Sequence, residues 1–163
     1  MTDHLADFAS AVRRFQSWAL APTGTETELA QVALGHFLDL YQGALRLLPL
    51  PDPPDDADDS QETVQERQWK TVYELAGSLP VNYYSAISQP LVVPADEPVV
   101  ADLAEDVADV FRDLVEGLRL YDDGESSQAH WQWVFAMPHW GEHATSAIRV
   151  LHAFLADRDA FLG

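Results

Sequence analysis

The spacing of apolar residues along the chain predicts helices over most of its length. In five stretches the apolar positions recur every three or four residues, which places them on one face of an α-helix. These stretches are residues 3–19, 25–48, 60–77, 100–121 and 128–155. The second is the most clearly delimited, because Thr25 and Glu28 have the spacing of a capping box and Pro49 stops the helix. Ser126 or Ser127 is expected to cap the last one.

Two segments lack this periodicity. Residues 49–60, PLPDPPDDADDS, combine prolines with aspartates and predict an exposed, acidic, proline-rich loop. Residues 79–98 contain four prolines and one short apolar run, and a single strand would have no partner there, so we expect an irregular packed connection. Pro138 is expected to kink the last helix. The pattern predicts an all-α fold, a single-domain bundle of about five main helices over residues 1–163.

The fourth predicted helix, residues 100–121, separates charge from apolar surface most clearly. Its apolar face is expected to begin at Val100, and its carboxylates gather on nearly the opposite side. Arg112 and Arg119 can each pair with Glu116 at helical spacing. The remaining aspartates form a second edge, hereafter the aspartate edge: Asp102, Asp106, Asp109 and Asp113. No basic residue is expected along this edge. We expect this edge to be solvated, or to meet a basic partner, a metal ion or hydrogen-bond donors.

Composition narrows the classes of function. The chain has 27 acidic and 9 basic residues, a net charge of −18, which excludes binding to a nucleic-acid backbone and favours a basic protein partner. It has no cysteine, so disulfides and thiolate metal sites are excluded. We see neither a signal peptide nor a membrane-spanning run, and we expect a cytoplasmic protein.

The last two predicted helices, residues 100–155, bring acids and histidines to the same level. A short turn joins them, so they should lie antiparallel. Counting equal distances from the turn places Asp106 and Asp109 beside His139 and His143. Carboxylates and imidazoles converging from two helices can bind a divalent metal ion; alternatively, the aspartates hydrogen-bond the histidines and fix the helix pair.

Residues 139–143, HWGEH, also fit the H-x-x-E-H pattern of inverted zinc peptidases. That mechanism requires Glu142 as general base and a further ligand downstream. No glutamate follows His143, so the peptidase set is incomplete.

Several of these residues carry a resemblance to a known family. Residues 107–114, VADVFRDL, followed by His139-Trp140-Gly141 and by Leu151-His152, resemble an uncharacterised bacterial family, domain-of-unknown-function family 5063. The LDLYQGALRLLP stretch, residues 38–49, is similar to an earlier helix of that family. The resemblance implies an all-helical domain and no assigned activity. It places Asp109, Asp113, His139 and His152 in the family frame and leaves Glu142 outside it.

Two functional hypotheses follow from these observations. The favoured one is a non-enzymatic, acidic interaction protein, of adaptor or immunity type, with no cofactor. Its partner-facing residues are the aspartate edge together with His139 and Trp140. The alternative is a metal-dependent enzyme of hydrolase type, with a divalent metal bound by Asp106, Asp109, His139 and His143.

Overall fold

A computed structural model describes residues 4–53 and 62–161, with the backbone alone for residues 62–65. Helices and one small sheet follow each other in the order α1 (His4–Ala19), α2 (Glu26–Leu45), α3 (Glu62–Ala76), β1 (Tyr83–Ala86), β2 (Val99–Asp102), α4 (Leu103–Asp122), α5 (Ser126–Phe135) and α6 (Met137–Asp157). The predicted all-α class is confirmed, although the described residues form six helices where about five were expected. Of the predicted acidic loop, residues 54–60 lie outside the described part of the chain.

The ends of two helices show how local sequence fixes the elements. Thr25 caps α2 as predicted, because its hydroxyl accepts from the backbone of Glu28 while the Glu28 carboxylate accepts from the backbone of Thr25. At the other end, α2 stops at Leu45, before Pro49. The first turn of α5 differs from the prediction: Glu125 occupies the cap position without a side-chain hydrogen bond, so neither Ser126 nor Ser127 caps this helix.

The segment before α4 is a β-hairpin rather than an irregular connection. β1 and β2 pair antiparallel, with Tyr84 opposite Ala101 and Tyr83 opposite Asp102. A strand was not expected here because it would have no partner, but residues that the apolar pattern assigned to the start of the fourth helix supply one. Val100 consequently lies on an exposed strand and not on a buried helix face. The chain passes from β2 into α4 without a loop.

Pro138 divides the last predicted helix in two instead of kinking it. Ala136 alone separates α5 from α6, and Pro138 lies in the first turn of α6. Proline is tolerated there because the first backbone N–H groups of a helix have no partner within the helix. The histidines therefore lie on a helix that begins at Met137, two residues before His139.

α4 is the central helix of the fold, since it packs against α1, α3, α5 and α6. Its contact with α5 depends on Gly117: a Cβ atom at this position would lie 2.2 Å from Nε1 of Trp133. That indole N–H donates to the carbonyl oxygen of Leu114 (2.9 Å), and the indole N–H of Trp140 donates to the carbonyl of Trp133 (3.0 Å). Phe8, Gly117, Trp133 and Trp140 are hereafter the tryptophan seam.

Within residues 4–53 and 62–161, no helix is both long enough and apolar enough to cross a membrane.

Candidate metal centre

The aspartate edge lies in the interior of the fold, between α4, α6, α3 and the hairpin. Asp106 and Asp109 are only 4% and 7% exposed, so the expected solvated or partner-facing acidic surface is wrong for these two residues. Buried carboxylates must be paired or hydrogen-bonded, because an unpaired charge in the protein interior is strongly destabilising. The partners of each oxygen therefore decide what the cluster can do.

Each carboxylate oxygen of Asp106 has a side-chain partner. Its Oδ1 lies 2.8 Å from Nδ1 of His143, and its Oδ2 accepts a hydrogen bond from the hydroxyl of Tyr84 at 2.5 Å. A carboxylate can only accept, so Nδ1 of His143 carries a proton, and in the neutral ring Nε2 has the free lone pair.

Asp109 has one occupied oxygen and one that faces a histidine. Its Oδ1 accepts a hydrogen bond from the indole N–H of Trp69 at 2.8 Å and forms an ion pair with the guanidinium of Arg112 at 2.8 Å. Its Oδ2 lies 3.5 Å from Nε2 of His143. The two donors on Oδ1 fix the plane of the carboxylate and direct Oδ2 towards the imidazole.

Asp113 holds the second histidine. Its Oδ2 lies 2.6 Å from Nδ1 of His139, and Nε of Arg112 lies 3.5 Å from its Oδ1. Arg112 therefore pairs with Asp109 and Asp113, so the prediction that no basic residue lies along this edge is wrong. The predicted pairing of Arg119 with Glu116 is confirmed at 2.7 Å.

Three of these side chains can share a metal ion. One ligand atom from each of Asp109, His139 and His143 lies within 4.8 Å of the others. Ligand atoms on a tetrahedral zinc ion are about 3.3 Å apart, close to the 3.5 Å between Asp109 and His143. To share an ion with the other two, His139, whose side chain is half exposed, would have to come closer to them. The fourth residue of the predicted set, Asp106, is not part of this group, and its Oδ1 lies against Nδ1 of His143.

The charges in the cluster shift two pKa values. The hydrogen bond that His143 donates to Asp106 raises the pKa of His143; burial opposes this rise, and the charges of Asp106, Asp109 and Asp113 support it. Burial raises the pKa of Tyr84, and its hydrogen bond to the Asp106 carboxylate raises it further. Tyr84 therefore remains a hydrogen-bond donor at any physiological pH.

Two residues of the predicted partner-facing set have structural roles. Asp102 caps α4 by accepting from the backbone N–H of Ala104 (2.9 Å), and its other oxygen accepts from Tyr73 (2.9 Å). Trp140 is fully buried in the tryptophan seam, so its assignment to a partner-facing surface is wrong. Glu142, the general base of the peptidase pattern, is exposed and lines a neighbouring groove.

Sequence reasoning did not identify three residues of the cluster: Tyr84, Trp69 and Arg112. Tyr84 belongs to the segment interpreted as irregular, and Trp69 to a helix with a less regular apolar face. Arg112 was assigned to Glu116, four residues on, although Asp109, three residues before it, is also a neighbour on the helix surface. Only this last contact had a signal in the sequence, namely the helical spacing itself.

A groove of about 1000 Å³ runs along α6 beside the cluster. Glu142, Ser146 and Arg149 of α6 line it, whereas the aspartates and histidines of the cluster do not. The rest of its lining is largely apolar and includes Leu48, Leu50, Ile87, Pro90 and Phe135. The groove is large enough for a small organic ligand.

Comparison with known proteins places the chain in a family. The family model described as Domain of unknown function (DUF5063) matches residues 2–157 and confirms the resemblance inferred from the sequence. Among solved structures, the chain is similar to the crystal structure of protein BF1032 from Bacteroides fragilis. The TM-score is 0.69 and the identity 14%, over 94% of this chain and 96% of that chain. A likeness at this identity shows a shared fold. No curated protein matches the sequence.

Proposed function

We propose a metal-dependent, hydrolase-type activity for this chain, which belongs to the DUF5063 family. Asp109, His139 and His143 are the proposed ligands of one divalent ion. The observation that carries the proposal is the way both histidines are held. Each has Nδ1 on an aspartate, Asp113 or Asp106, which leaves Nε2 of both rings available.

This arrangement is the one that orients histidine ligands in metalloproteins. A ligating histidine almost always gives its other ring nitrogen to a carboxylate, a carbonyl or water, which fixes the tautomer and the ring direction. Here two carboxylates from α4 perform that task for two histidines from α6. Asp109, whose Oδ1 is occupied by Trp69 and Arg112, offers Oδ2 as the third ligand.

The donor set indicates the class of metal. Two imidazoles and one carboxylate suit zinc, iron(II), cobalt(II) or nickel(II), whereas magnesium and calcium prefer sites made of oxygen alone. A set of three protein ligands leaves at least one coordination position for water or substrate, as in catalytic zinc sites. A zinc ion held by Asp109, His139 and His143 would supply a nucleophile for hydrolysis, by lowering the pKa of a bound water to about 7.

Metal titration of the metal-free protein tests the proposal. We expect one equivalent of Zn²⁺ or Co²⁺ to bind by calorimetry, and Co²⁺ to give the visible absorption of a low-coordinate site. Asp109→Asn and His143→Gln should abolish binding. The matched controls are Asp123→Asn, an exposed aspartate paired with Arg119, and His152→Gln, an exposed histidine outside the cluster; both should bind as the wild type does. Equal binding by wild type and Asp109→Asn would contradict the proposal.

A second candidate is an interaction protein with a basic partner that acts in the cytoplasm. It is supported by the net charge of −18 and by exposed carboxylates such as Glu105 and Glu125. The aspartate edge no longer supports it, since its carboxylates are engaged within the fold. Pull-down from native cell extract at low and high salt tests this candidate. A partner retained at low salt and released at high salt is expected, and recovery of no salt-sensitive partner would contradict it.

A further inference from the structure

We infer that Tyr84 is a positioning residue for the proposed metal centre, acting on His143 through Asp106. The inference rests on the proposed function and adds to it a residue that does not touch the ion. The hydroxyl of Tyr84 donates to Oδ2 of Asp106 (2.5 Å), and Oδ1 of Asp106 holds Nδ1 of His143 (2.8 Å). The hydrogen-bonded chain ends at Nε2 of His143, the nitrogen that would bind the metal.

Asp106 needs this second partner because it is almost fully buried. Without the hydroxyl of Tyr84, Oδ2 would be a charged acceptor in the interior with no hydrogen-bond donor among the described residues. A carboxylate in that position gains by rotating towards another donor or by admitting water. Either change would move Oδ1, and with it the ring of His143. Tyr84 therefore holds the carboxylate in the plane that aligns Nε2 with Oδ2 of Asp109.

The β-hairpin holds Tyr84 within hydrogen-bond distance of Asp106. Side chains alternate along β1, so Tyr84 points inwards while Tyr83 and Ser85 are exposed. β2 continues directly into α4, and the backbone N–H of Leu103 donates to the carbonyl of Asn82 (2.8 Å). The hairpin is thus attached to the first turn of the helix that carries Asp106. Tyr84 and Asp106 belong to one rigid unit.

A second tyrosine–aspartate pair provides an internal control. The hydroxyl of Tyr73 donates to Oδ2 of Asp102 (2.9 Å), one helical turn before Asp106. Asp102 caps α4 and contacts no histidine within the described residues. Both pairs join a phenol to a partly or fully buried carboxylate of α4, yet only the pair at Tyr84 leads to a proposed ligand.

The test compares Tyr84→Phe with Tyr73→Phe in the full chain. Each variant is titrated with Zn²⁺ by calorimetry and with Co²⁺ by visible absorption. Loss of a partner that orients a ligand lowers metal affinity by about 10- to 100-fold, so we expect this loss in Tyr84→Phe and a wild-type Kd in Tyr73→Phe. The Co²⁺ spectrum should change in Tyr84→Phe only. A role of Tyr84 in stability alone would lower the melting temperature and leave the spectrum unchanged.

Imidazole ¹⁵N resonances of the metal-free protein give an independent readout. At a pH above the raised pKa of His143, where the ring is neutral, it should show the Nδ1–H tautomer in wild type and Tyr73→Phe, and a mixture of tautomers in Tyr84→Phe. If wild type binds Co²⁺ and Tyr84→Phe binds it with the same affinity and spectrum, the inference is overturned and the metal centre stands. If wild type binds neither Zn²⁺ nor Co²⁺, both the metal centre and this role of Tyr84 are overturned.

Discussion

Two buried surfaces of α4 are stabilised in different ways. At the tryptophan seam, large rings fit against a glycine, with Phe8 and Trp133 packed edge to face at 5.0 Å between ring centroids. At the aspartate edge, carboxylates are buried with a donor for almost every oxygen. The seam depends on shape, whereas the edge depends on the number and direction of hydrogen bonds. Because both surfaces lie on α4, this helix packs against other helices on more than one side.

The difference shows what the polar surface is for. A core built on shape alone would serve stability at least as well, because buried ionic networks are often no more stable than apolar replacements of similar volume. The aspartate edge instead holds two imidazoles in defined orientations. Substitutions at the two surfaces should therefore have different consequences: at the seam they should reduce stability, and at the edge they should reduce metal binding more than stability.

Gly117→Ala should give the largest loss of stability. The added Cβ would lie 2.2–2.7 Å from three atoms of the Trp133 ring, so the ring must move and its hydrogen bond to Leu114 weakens. We expect a loss of about 3 kcal/mol, at the upper end for overpacking, measured by urea unfolding. Gly35→Ala is the control, because nothing lies within 4 Å of its added Cβ and alanine favours the helix, so this variant should be slightly more stable than wild type. Equal stability of the two variants would contradict the importance of shape at the seam.

Trp69→Phe should give an intermediate loss and should also weaken metal binding. It removes the N–H donor on Oδ1 of Asp109 while keeping a ring stacked on Tyr73. We expect a loss of about 1–2 kcal/mol in unfolding free energy and a higher Kd for Zn²⁺. Trp131→Phe is the matched control, since its ring stacks on Phe135 outside the cluster. Identical Kd values for the two variants would show that the direction of the Asp109 carboxylate is unimportant.

The smallest effect is expected in the pH dependence of the metal-free protein, where two histidines act with opposite signs. The pKa of His143 is raised above 6.5, so its contribution to stability is complete below pH 6.5 and is lost as the pH rises through the raised value. Burial lowers the pKa of His36, with Asp39 opposing and Arg14 assisting. Its contribution is therefore complete above pH 6.5 and is lost as the pH falls.

Thermal melts from pH 5 to pH 9, followed by circular dichroism, measure both contributions. His143→Gln should remove the decline on the alkaline side, and His36→Gln the decline on the acid side. A parallel shift of the whole curve in both variants would show that neither histidine titrates differently in the folded and unfolded states.

The sequence was sufficient to predict where most of the helices lie. It also predicted that the aspartates of α4 lie beside the histidines of α6. Periodicity and the capping box at Thr25 located α2, and counting from the turn brought Asp109 and His143 to the same height although Pro138 divides the helix. The helix prediction depends on residues close together in the chain, and the pairing prediction depends on counting residues on either side of one turn. Rules for local sequence are adequate for both.

The burial of the aspartate edge was beyond such rules. A helical pattern compares the residues of one helix with each other, whereas the donors to Asp106 and Asp109 come from Tyr84 and Trp69, which are 22 and 40 residues away along the chain. The hairpin was missed for the same reason, because β2 has an apolar start that also suits a helix. Polar residues opposite an apolar face are typical of solvent exposure, and only the tertiary structure reveals their partners.

The contact between Trp69 and Asp109 gives the protein an optical probe of its own. The indole N–H of Trp69 donates to Oδ1 of Asp109, the carboxylate proposed to bind the ion, at 2.8 Å. Trp133 and Trp140 are buried in the seam and donate to backbone carbonyls. Excited indole is sensitive to a charge or a paramagnetic ion at such short range. Part of the intrinsic fluorescence should therefore respond when Co²⁺ or Cu²⁺ enters, over a constant background from the seam. Occupancy of the centre becomes visible without label or substrate.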